Sequence, residues 1–200
     1  MAKMADPVKK VEKMYTYGEY RTWPGDERWE LIEGVPYDMS PAPRRYHQEI
    51  SATLFTYIRQ FLKGKSCKAY AAPFDVLLPA LGEETEDEVT TVVQPDISVI
   101  CDKSKLTEEG CTGAPDWIVE ILSPYTAKKD FGKKLPLYEK HGVKEFWIID
   151  PGNKYIHIYL LDGKSKYPED PVVLEPRDSS AESSVLPGLV IDLEELFDFT

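Results

Sequence analysis

Residues 116–124, "DWIVEILSP", decide the fold expected for this chain. Side chains alternate between the two faces of a β-strand, and both faces are apolar here: Trp117, Val119 and Ile121 on one, Ile118 and Leu122 on the other. Such a strand is predicted to lie inside a sheet. Glu120 interrupts the second face, and a buried ionised carboxylate costs several kcal/mol unless something compensates it. Glu120 is therefore expected either to reach water or to have a partner that needs its charge.

The segment that follows this strand is rich in lysine. Residues 126–144, "TAKKDFGKKLPLYEKHGVK", contain six lysines against Asp130 and Glu139, which gives a local charge of +4. This basic island is either a solvated helix face or a positive patch that faces an anionic substrate. A helix is predicted over residues 130–141. Pro136 predicts that this helix starts late or kinks near residue 132, because proline in a helix interior costs about 3 kcal/mol.

A second strand, "EFWIID", follows the helix, so residues 116–150 form a β-α-β unit with two parallel strands. Upstream, the pattern predicts a short helix, a Pro-Gly turn and a hairpin around Glu33 and Gly34, then a helix over residues 44–63. One strand is expected in "KAYAAPFDVLLPA" and one in "VVQPDISVI", where Pro95 marks a bulge, an edge or the strand start. Residues 101–115 are expected to be a polar connection and residues 167–184 an irregular excursion. "KYIHIYLLD" is a further strand, and a last strand and a short helix close the chain.

These elements predict one α/β domain with a mixed sheet over residues 15–200, preceded by a flexible tail over residues 1–14. The chain has no run of 18 apolar residues and no secretory signal at its start, so a membrane span is not expected. Three cysteines without a C-x-x-C pair predict no disulfide framework or zinc ribbon and a cytoplasmic location. A formal net charge of −11 opposes non-specific binding of nucleic acid by the bulk field.

Two carboxylates lie in neighbouring apolar strands. Asp96 precedes "ISVI", and Glu120 lies inside "WIVEIL". If the strands pair in register, their Cβ atoms are about 5 Å apart. Like charges at that distance repel strongly in a low dielectric, so a cation is expected between them. Mg²⁺ would suit the pair, and so would one of the lysines downstream.

The motif "PD" in one strand followed by a glutamate in the next resembles the PD-(D/E)XK nuclease signature. A fuller resemblance is to the Uma-type family of restriction-endonuclease-like proteins. It rests on "YTYGEY…WELIEG", "VQPDISVI", "VEILSPYT…D…KK…LYEKHGVKEFWIIDP" and "LPGLVIDLEELF", over residues 15–197. The resemblance implies a restriction-endonuclease-like core with an N-terminal β-hairpin. It also implies a homodimeric endonuclease that cleaves nucleic acid, expected to be DNA, with Mg²⁺ or alternatively Mn²⁺.

The same resemblance implies a set of site residues. Asp96 and Glu120 would bind the metal, with the backbone carbonyl of Ile121 as a third ligand. The signature expects lysine at position 122, where this chain has leucine, so the lysine is expected on the following helix. Lys134 is the first candidate there, and the alternates are Lys133, Lys128 and Lys129.

Further candidates keep their alternatives open. Glu30, favoured over Glu33, is either a second carboxylate near the metal or part of a hairpin ion pair. His47 either meets substrate or water or is a surface or capping histidine, and Asp75 is a possible third acidic ligand on the strand next to Asp96. Two other functions also stay open: an inactive binding module in which lysine and glutamate simply pair, and a hydrolase of a smaller phosphate ester.

Overall fold

Two β-sheets make up most of the fold. The computed structural model describes residues 13–24, 28–39, 43–123 and 130–199. A five-stranded sheet has the order β2-β1-β5-β4-β7 and a six-stranded sheet the order β11-β10-β9-β8-β6-β3. The strands of the five-stranded sheet are β1 (Trp29–Ile32), β2 (Val35–Asp38), β4 (Asp75–Leu77), β5 (Val92–Val93) and β7 (Gly110–Thr112). Those of the six-stranded sheet are β3 (Lys68–Ala71), β6 (Ile97–Ile100), β8 (Trp117–Ile121), β9 (Glu145–Asp150), β10 (Tyr155–Leu160) and β11 (Val172–Leu174).

The helices and a small third sheet complete the described chain. The helices are α1 (Tyr17–Tyr20), α2 (Arg45–Phe61), α3 (Leu135–His141) and α4 (Leu193–Leu196). Strands β12 (Ser180–Glu182) and β13 (Val190–Asp192) pair antiparallel with each other. In the part of the chain that the structure describes, no helix has the length and apolar character needed to span a bilayer.

Strand β8 lies inside the six-stranded sheet, as its sequence predicts. It pairs antiparallel with β6 and parallel with β9, which confirms the parallel strands of the β-α-β unit and the mixed α/β fold. Trp117, Val119 and Ile121 face the core formed with α2, and Ile118 and Leu122 face the core formed with α3. Burial of both faces explains why the strand is apolar on both. It also leaves Glu120 without access to bulk water, at 4% exposure.

Two segments predicted as single strands are each divided between the sheets, which corrects those predictions. Residues 68–80 form β3 in the six-stranded sheet and β4 in the other. Residues 92–100 form β5 and β6 in the same way. Pro73 and Pro95 lie at the two breaks, and proline lacks the N–H that a continuous ladder requires. The chain therefore changes sheet twice at prolines.

Other boundaries also differ from expectation. The polar connection over residues 101–115 contains β7, which pairs parallel with β4, and the excursion over residues 167–184 contains β11 and β12. The helix predicted over residues 130–141 begins with a π-helical turn, Asp130–Lys134, and continues as α3 with Pro136 in its first turn. This irregular start confirms the effect expected of Pro136.

A disulfide joins Cys67 to Cys101, so the expectation of no disulfide is wrong for this pair. The register of β3 and β6 pairs Lys68 with Ile100. The next pair in this register is Cys67 and Cys101, so the two cysteines lie opposite each other. They are 34 residues apart in sequence, and no local motif relates them. Cys111 is buried and has a free thiol.

Candidate active site

The Lys134 ammonium lies at the centre of a buried acidic cluster. Its Nζ is 2.7 Å from Glu30 Oε1 and 2.8 Å from Glu120 Oε1. Asp130 Oδ1 is farther from Nζ, at 3.9 Å. All four side chains are almost completely buried. The cluster thus contains three carboxylates and one ammonium, which leaves an excess of negative charge in a region screened from water.

The π-helical turn brings Lys134 into this position. Asp130 and Lys134 are four residues apart and both point inward, whereas Lys133 is exposed and donates a 2.5 Å hydrogen bond to the Tyr37 hydroxyl. Of the two candidate lysines that the structure describes, Lys134 is therefore the one placed against Glu120. Lys128 and Lys129 lie outside the described residues.

Glu120 receives two hydrogen bonds on the same oxygen. Lys134 Nζ and the Tyr138 hydroxyl, at 2.8 and 2.7 Å, both donate to Oε1. Burial raises the pKa of Glu120 to about 8, because desolvation and the neighbouring carboxylates outweigh the ammonium of Lys134. Burial alone would lower the pKa of Lys134, but the surrounding carboxylates raise that pKa well above its ordinary value. Lys134 therefore stays protonated, and it is Glu120 whose charge is easily lost.

Asp96 lies beside Glu120 but is held by different groups. Strands β6 and β8 are antiparallel, and Ile97 pairs with Val119. One residue further along this register, Asp96 lies opposite Glu120. Asp96 Oδ2 accepts a 2.7 Å hydrogen bond from the backbone N–H of Ile121, and Oδ1 lies 3.1 Å from His47 Nε2. The carboxylate of Asp96 also raises the pKa of Glu120. The two acids are thus brought together, as the sequence pattern predicts.

His47 lies at the more open side of this site. Its side chain is 15% exposed and that of Asp96 is 19%, whereas Lys134 and Glu30 are closed off from solvent. Burial works to lower the pKa of His47, but the hydrogen bond and the charge of Asp96 raise it overall. A ligand that reaches Glu120 would therefore approach past His47 and Asp96.

Glu30 joins the site from the N-terminal hairpin, whereas Glu33 does not. Glu30 is fully buried, and its Oε1 accepts from the backbone N–H of Gln94 at 3.0 Å as well as from Lys134. Glu33 is exposed and pairs with Lys140 at 3.3 Å. The preference for Glu30 over Glu33 agrees with this geometry.

Asp75 has a different place from the one expected. It starts β4 in the five-stranded sheet, and β4 is not a neighbour of β6. Its Oδ1 accepts a 2.7 Å hydrogen bond from Gln94 Nε2 and lies 3.5 Å from the Tyr20 hydroxyl. Burial raises the pKa of Asp75 despite these bonds. The strand of Asp75 therefore lies next to β5, as the prediction for the segment 92–100 implies, but not next to β6, which Asp96 directly precedes. Gln94 connects Asp75 to Glu30.

Sequence reasoning missed three residues of this cluster. None of Tyr138, Asp130 and Gln94 was predicted at the site, although the Tyr138 hydroxyl donates a hydrogen bond to Glu120. Asp130 carried one usable signal, since an acid and a lysine four residues apart share a helix face. Gln94 carried none, because its contacts are with residues distant in sequence.

The donor set fits a small hard cation held by few protein ligands. No group of three or more His, Cys, Asp or Glu side chains within the described ranges is arranged as a metal cage. Mg²⁺ does not require such a cage, because it is commonly bound by one or two carboxylates together with waters and substrate oxygens. Asp96 and Glu120 supply two adjacent carboxylates. The excess negative charge around Lys134 would also be offset by a divalent ion.

Comparisons with known proteins show the family and the fold of this chain. A family model described as "Uma2: Putative restriction endonuclease" matches residues 17–194. A crystal structure from Anabaena variabilis ATCC 29413, described as "a putative nuclease belonging to DUF820", is similar to this chain with a TM-score of 0.70 and 25% identity. The similarity covers 91% of this chain and 97% of that one. No curated protein matches this chain.

Proposed function

This chain belongs to the Uma2 family of restriction-endonuclease-like proteins, and from that premise we propose that it hydrolyses phosphodiester bonds of nucleic acid, with DNA as substrate. The observation that carries the proposal is the contact of Lys134 Nζ with Glu120, 2.8 Å apart, beside Asp96 on the adjacent strand. Two acids and a lysine are the groups that the PD-(D/E)XK signature combines. Here the lysine reaches the acid from a helix instead of from position 122.

Asp96 and Glu120 would hold Mg²⁺, or Mn²⁺ in its place, with the backbone carbonyl of Ile121 as a third ligand. When bound, such an ion polarises a phosphoryl oxygen and lowers the pKa of a bound water. The protein's own part is positioning and electrostatics. The N–H of Ile121 and the imidazole of His47 fix the two oxygens of Asp96, so its carboxylate cannot rotate away.

Lys134 would act on the attacking water and on the developing charge. An ammonium has three donors, and two of them are used on Glu30 and Glu120. The third can donate to a water or to a phosphoryl oxygen. A fixed positive charge in a site screened from water stabilises the pentavalent transition state more than the ground state. In-line attack forms a bond from the water oxygen to phosphorus and breaks the P–O bond to the leaving oxygen. The attacking water loses a proton to solvent, and the leaving oxygen takes one up.

Glu30 and Tyr138 would keep Lys134 and Glu120 in place. Glu30 contacts the ammonium from the N-terminal hairpin, and Tyr138 donates to the oxygen of Glu120 that also contacts Lys134. Positioning within a fraction of an ångström matters, because misplaced catalytic groups lose much of their effect. These two residues are therefore proposed as supports, and His47 is proposed to meet the substrate at the open side.

Two observations favour a second candidate function. The ion pair between Lys134 and Glu120 is complete without any metal, and the overall charge of −11 opposes a polyanion. A chain that used this pair only for folding would be a non-catalytic binding module. Such a module would bind no divalent ion at Asp96 and Glu120, which separates it from the nuclease.

Cleavage of a mixture of DNA and RNA in Mg²⁺ tests the proposal. Wild type is compared with Asp96→Asn and with Asp170→Asn, which changes an exposed aspartate between β10 and β11. The nuclease predicts strong loss of cleavage in Asp96→Asn and none in Asp170→Asn. Equal activity of Asp96→Asn and wild type would rule out the role given to Asp96. The predicted homodimer and cytoplasmic location belong to the same proposal, and light scattering of the purified protein measures the first.

A further inference from the structure

An exposed arginine lies at the edge of the candidate active site. Arg28 directly precedes β1, and its carbonyl accepts from the N–H of Met39, which extends the hairpin pairing by one step. Side chains two residues apart lie on the same face of a strand, so Arg28 is on the face that carries Glu30. Among the described residues, no acid lies within ion-pairing distance of Arg28.

Gln94 holds this arginine in place. Its Oε1 accepts from Arg28 Nη2 at 2.9 Å and from Nε at 3.3 Å. The Nε2 of the same amide donates to Asp75 Oδ1 at 2.7 Å, so the orientation of the amide is fixed by the acid on its other side. Gln94 is buried and Arg28 is exposed. The guanidinium of this exposed residue is thus anchored at one edge, and its charge works to lower the pKa of the nearby Asp75.

The same glutamine connects Arg28 to the cluster around Lys134. The backbone N–H of Gln94 donates to Glu30 Oε1, which in turn contacts Lys134 Nζ. Gln94 is also two residues before Asp96 in the chain. Arg28 is therefore connected through Gln94 and Glu30 to the group that Asp96, Glu120 and Lys134 form.

The surrounding charge explains why such a residue is needed. Glu30, Asp75, Asp96 and Glu120 make this region acidic, and a polyanion would be repelled from it. A guanidinium binds phosphate through two parallel N–H bonds, and it stays charged at every physiological pH. An arginine that is anchored in advance loses little side-chain entropy when it binds.

We propose that Arg28, held by Gln94, binds the backbone phosphate next to the scissile one, and that the substrate is therefore a polynucleotide and not a small phosphate ester. This inference rests on the proposed function and names the substrate class of the same site. It assigns Arg28 to substrate binding, outside the group that breaks the bond. A substrate with a single phosphate gains nothing from Arg28.

The test compares two substrates on the same variants. Wild type, Arg28→Gln, Arg28→Lys and Arg177→Gln are assayed in Mg²⁺ on a labelled oligonucleotide and on bis(p-nitrophenyl) phosphate, which has one phosphate. Arg177 is an exposed arginine that contacts Glu175, in a turn next to α4, and it serves as the matched control. Arg28→Gln is expected to raise KM for the oligonucleotide about tenfold, the loss typical of one charge-assisted hydrogen bond. Turnover of bis(p-nitrophenyl) phosphate is expected to stay unchanged.

The salt dependence of oligonucleotide binding is a second measurement, and a residue with only a structural role would not change it. In Ca²⁺, the logarithm of the oligonucleotide affinity falls with the logarithm of salt, and each phosphate contact contributes about 0.7–0.9 to the slope. Arg28→Gln is expected to reduce that slope by about one contact, Arg28→Lys by less, and Arg177→Gln not at all.

The outcomes separate this inference from the proposed function. If wild type cleaves the oligonucleotide but Arg28→Gln has an unchanged KM and salt slope, the role of Arg28 is overturned and the nuclease stands. An equal loss of turnover on both substrates would also overturn it, because it would mean a general disturbance of the site. If wild type binds the oligonucleotide without cleaving it, the salt slope alone decides the role of Arg28. If wild type neither binds nor cleaves it, both proposals fall.

Discussion

Lys134 Nζ lies 2.7 Å from Glu30 Oε1, although the two residues come from distant parts of the chain. Glu30 belongs to the first hairpin and Lys134 to the π-helical turn before α3. This contact connects the five-stranded sheet to the β-α-β unit through one buried ion pair. The hairpin is thus part of the candidate active site, and folding of the N-terminal segment is coupled to the position of the lysine.

Replacing Lys134 by methionine is expected to destabilise the fold and abolish cleavage. The change leaves Glu30, Glu120 and Asp130 buried without their cation, and removing one partner of a buried pair costs about 3–5 kcal/mol. Denaturant unfolding measures the stability. Adding Glu120→Gln to Lys134→Met removes one uncompensated charge, so it should recover part of the stability without any activity. If Lys134→Met were as stable as wild type, the buried cluster described here would be wrong.

Stability should also fall as the pH rises. The pKa of Glu120 is raised from 4.5 to about 8 in the folded chain, so the folded state binds its proton more tightly than the unfolded state does. This tighter proton binding stabilises the folded state. The stabilisation is complete below pH 4.5 and is lost as the pH rises to about 8. Glu120→Gln cannot lose a proton and should show a flatter profile over this range. Parallel profiles for the two proteins, measured by urea unfolding at several pH values, would contradict the assignment.

Tyr138→Phe is expected to reduce both stability and cleavage. The change removes the hydroxyl that donates to Glu120 Oε1 at 2.7 Å, and a buried oxygen that loses its donor costs about 1–3 kcal/mol. Tyr167→Phe is the matched control, because the hydroxyl of this buried tyrosine donates to the Val143 carbonyl at 2.7 Å, outside the cluster. Tyr167→Phe should lower thermal stability but leave cleavage intact. Equal cleavage by Tyr138→Phe and Tyr167→Phe would show that Tyr138 serves the fold alone.

The disulfide between Cys67 and Cys101 is expected to stabilise the fold. A cross-link that closes a loop of 34 residues restricts the unfolded chain, and disulfides of this kind contribute about 2–4 kcal/mol. Reduction should lower the melting temperature of wild type and leave that of the Cys67→Ser/Cys101→Ser variant unchanged. Mass spectrometry without reductant checks the bond itself. A wild-type mass that shows three free thiols would exclude it.

Much of the central sheet could be predicted from sequence because one local pattern determines it. The apolar residues on both faces of β8 require burial on both sides, and the helical period of the next segment requires a crossover. The juxtaposition of Asp96 and Glu120 follows from the pairing of two neighbouring strands. Lys134 could be predicted as a candidate because the first lysines after Glu120 in sequence all lie within residues 128–134.

The remaining features depend on contacts between distant residues. The disulfide requires the register of β3 and β6, and the division of residues 68–80 and 92–100 between two sheets depends on how the prolines are accommodated. Tyr138 has the same sequence signature whether its hydroxyl binds Glu120 or another acceptor. Gln94 takes part through its backbone and through both ends of its amide, and such a role leaves no pattern in the sequence.

The account depends most on whether Asp96 and Glu120 bind one divalent ion. Crystals soaked in Mn²⁺ and measured at the manganese absorption edge give the direct answer. The account predicts one anomalous peak, with carboxylate oxygens of both Asp96 and Glu120 within about 2.0–2.4 Å of it. A map with no peak beside these two acids, while Glu120 keeps its contact with Lys134, would contradict the nuclease and leave a folded binding module.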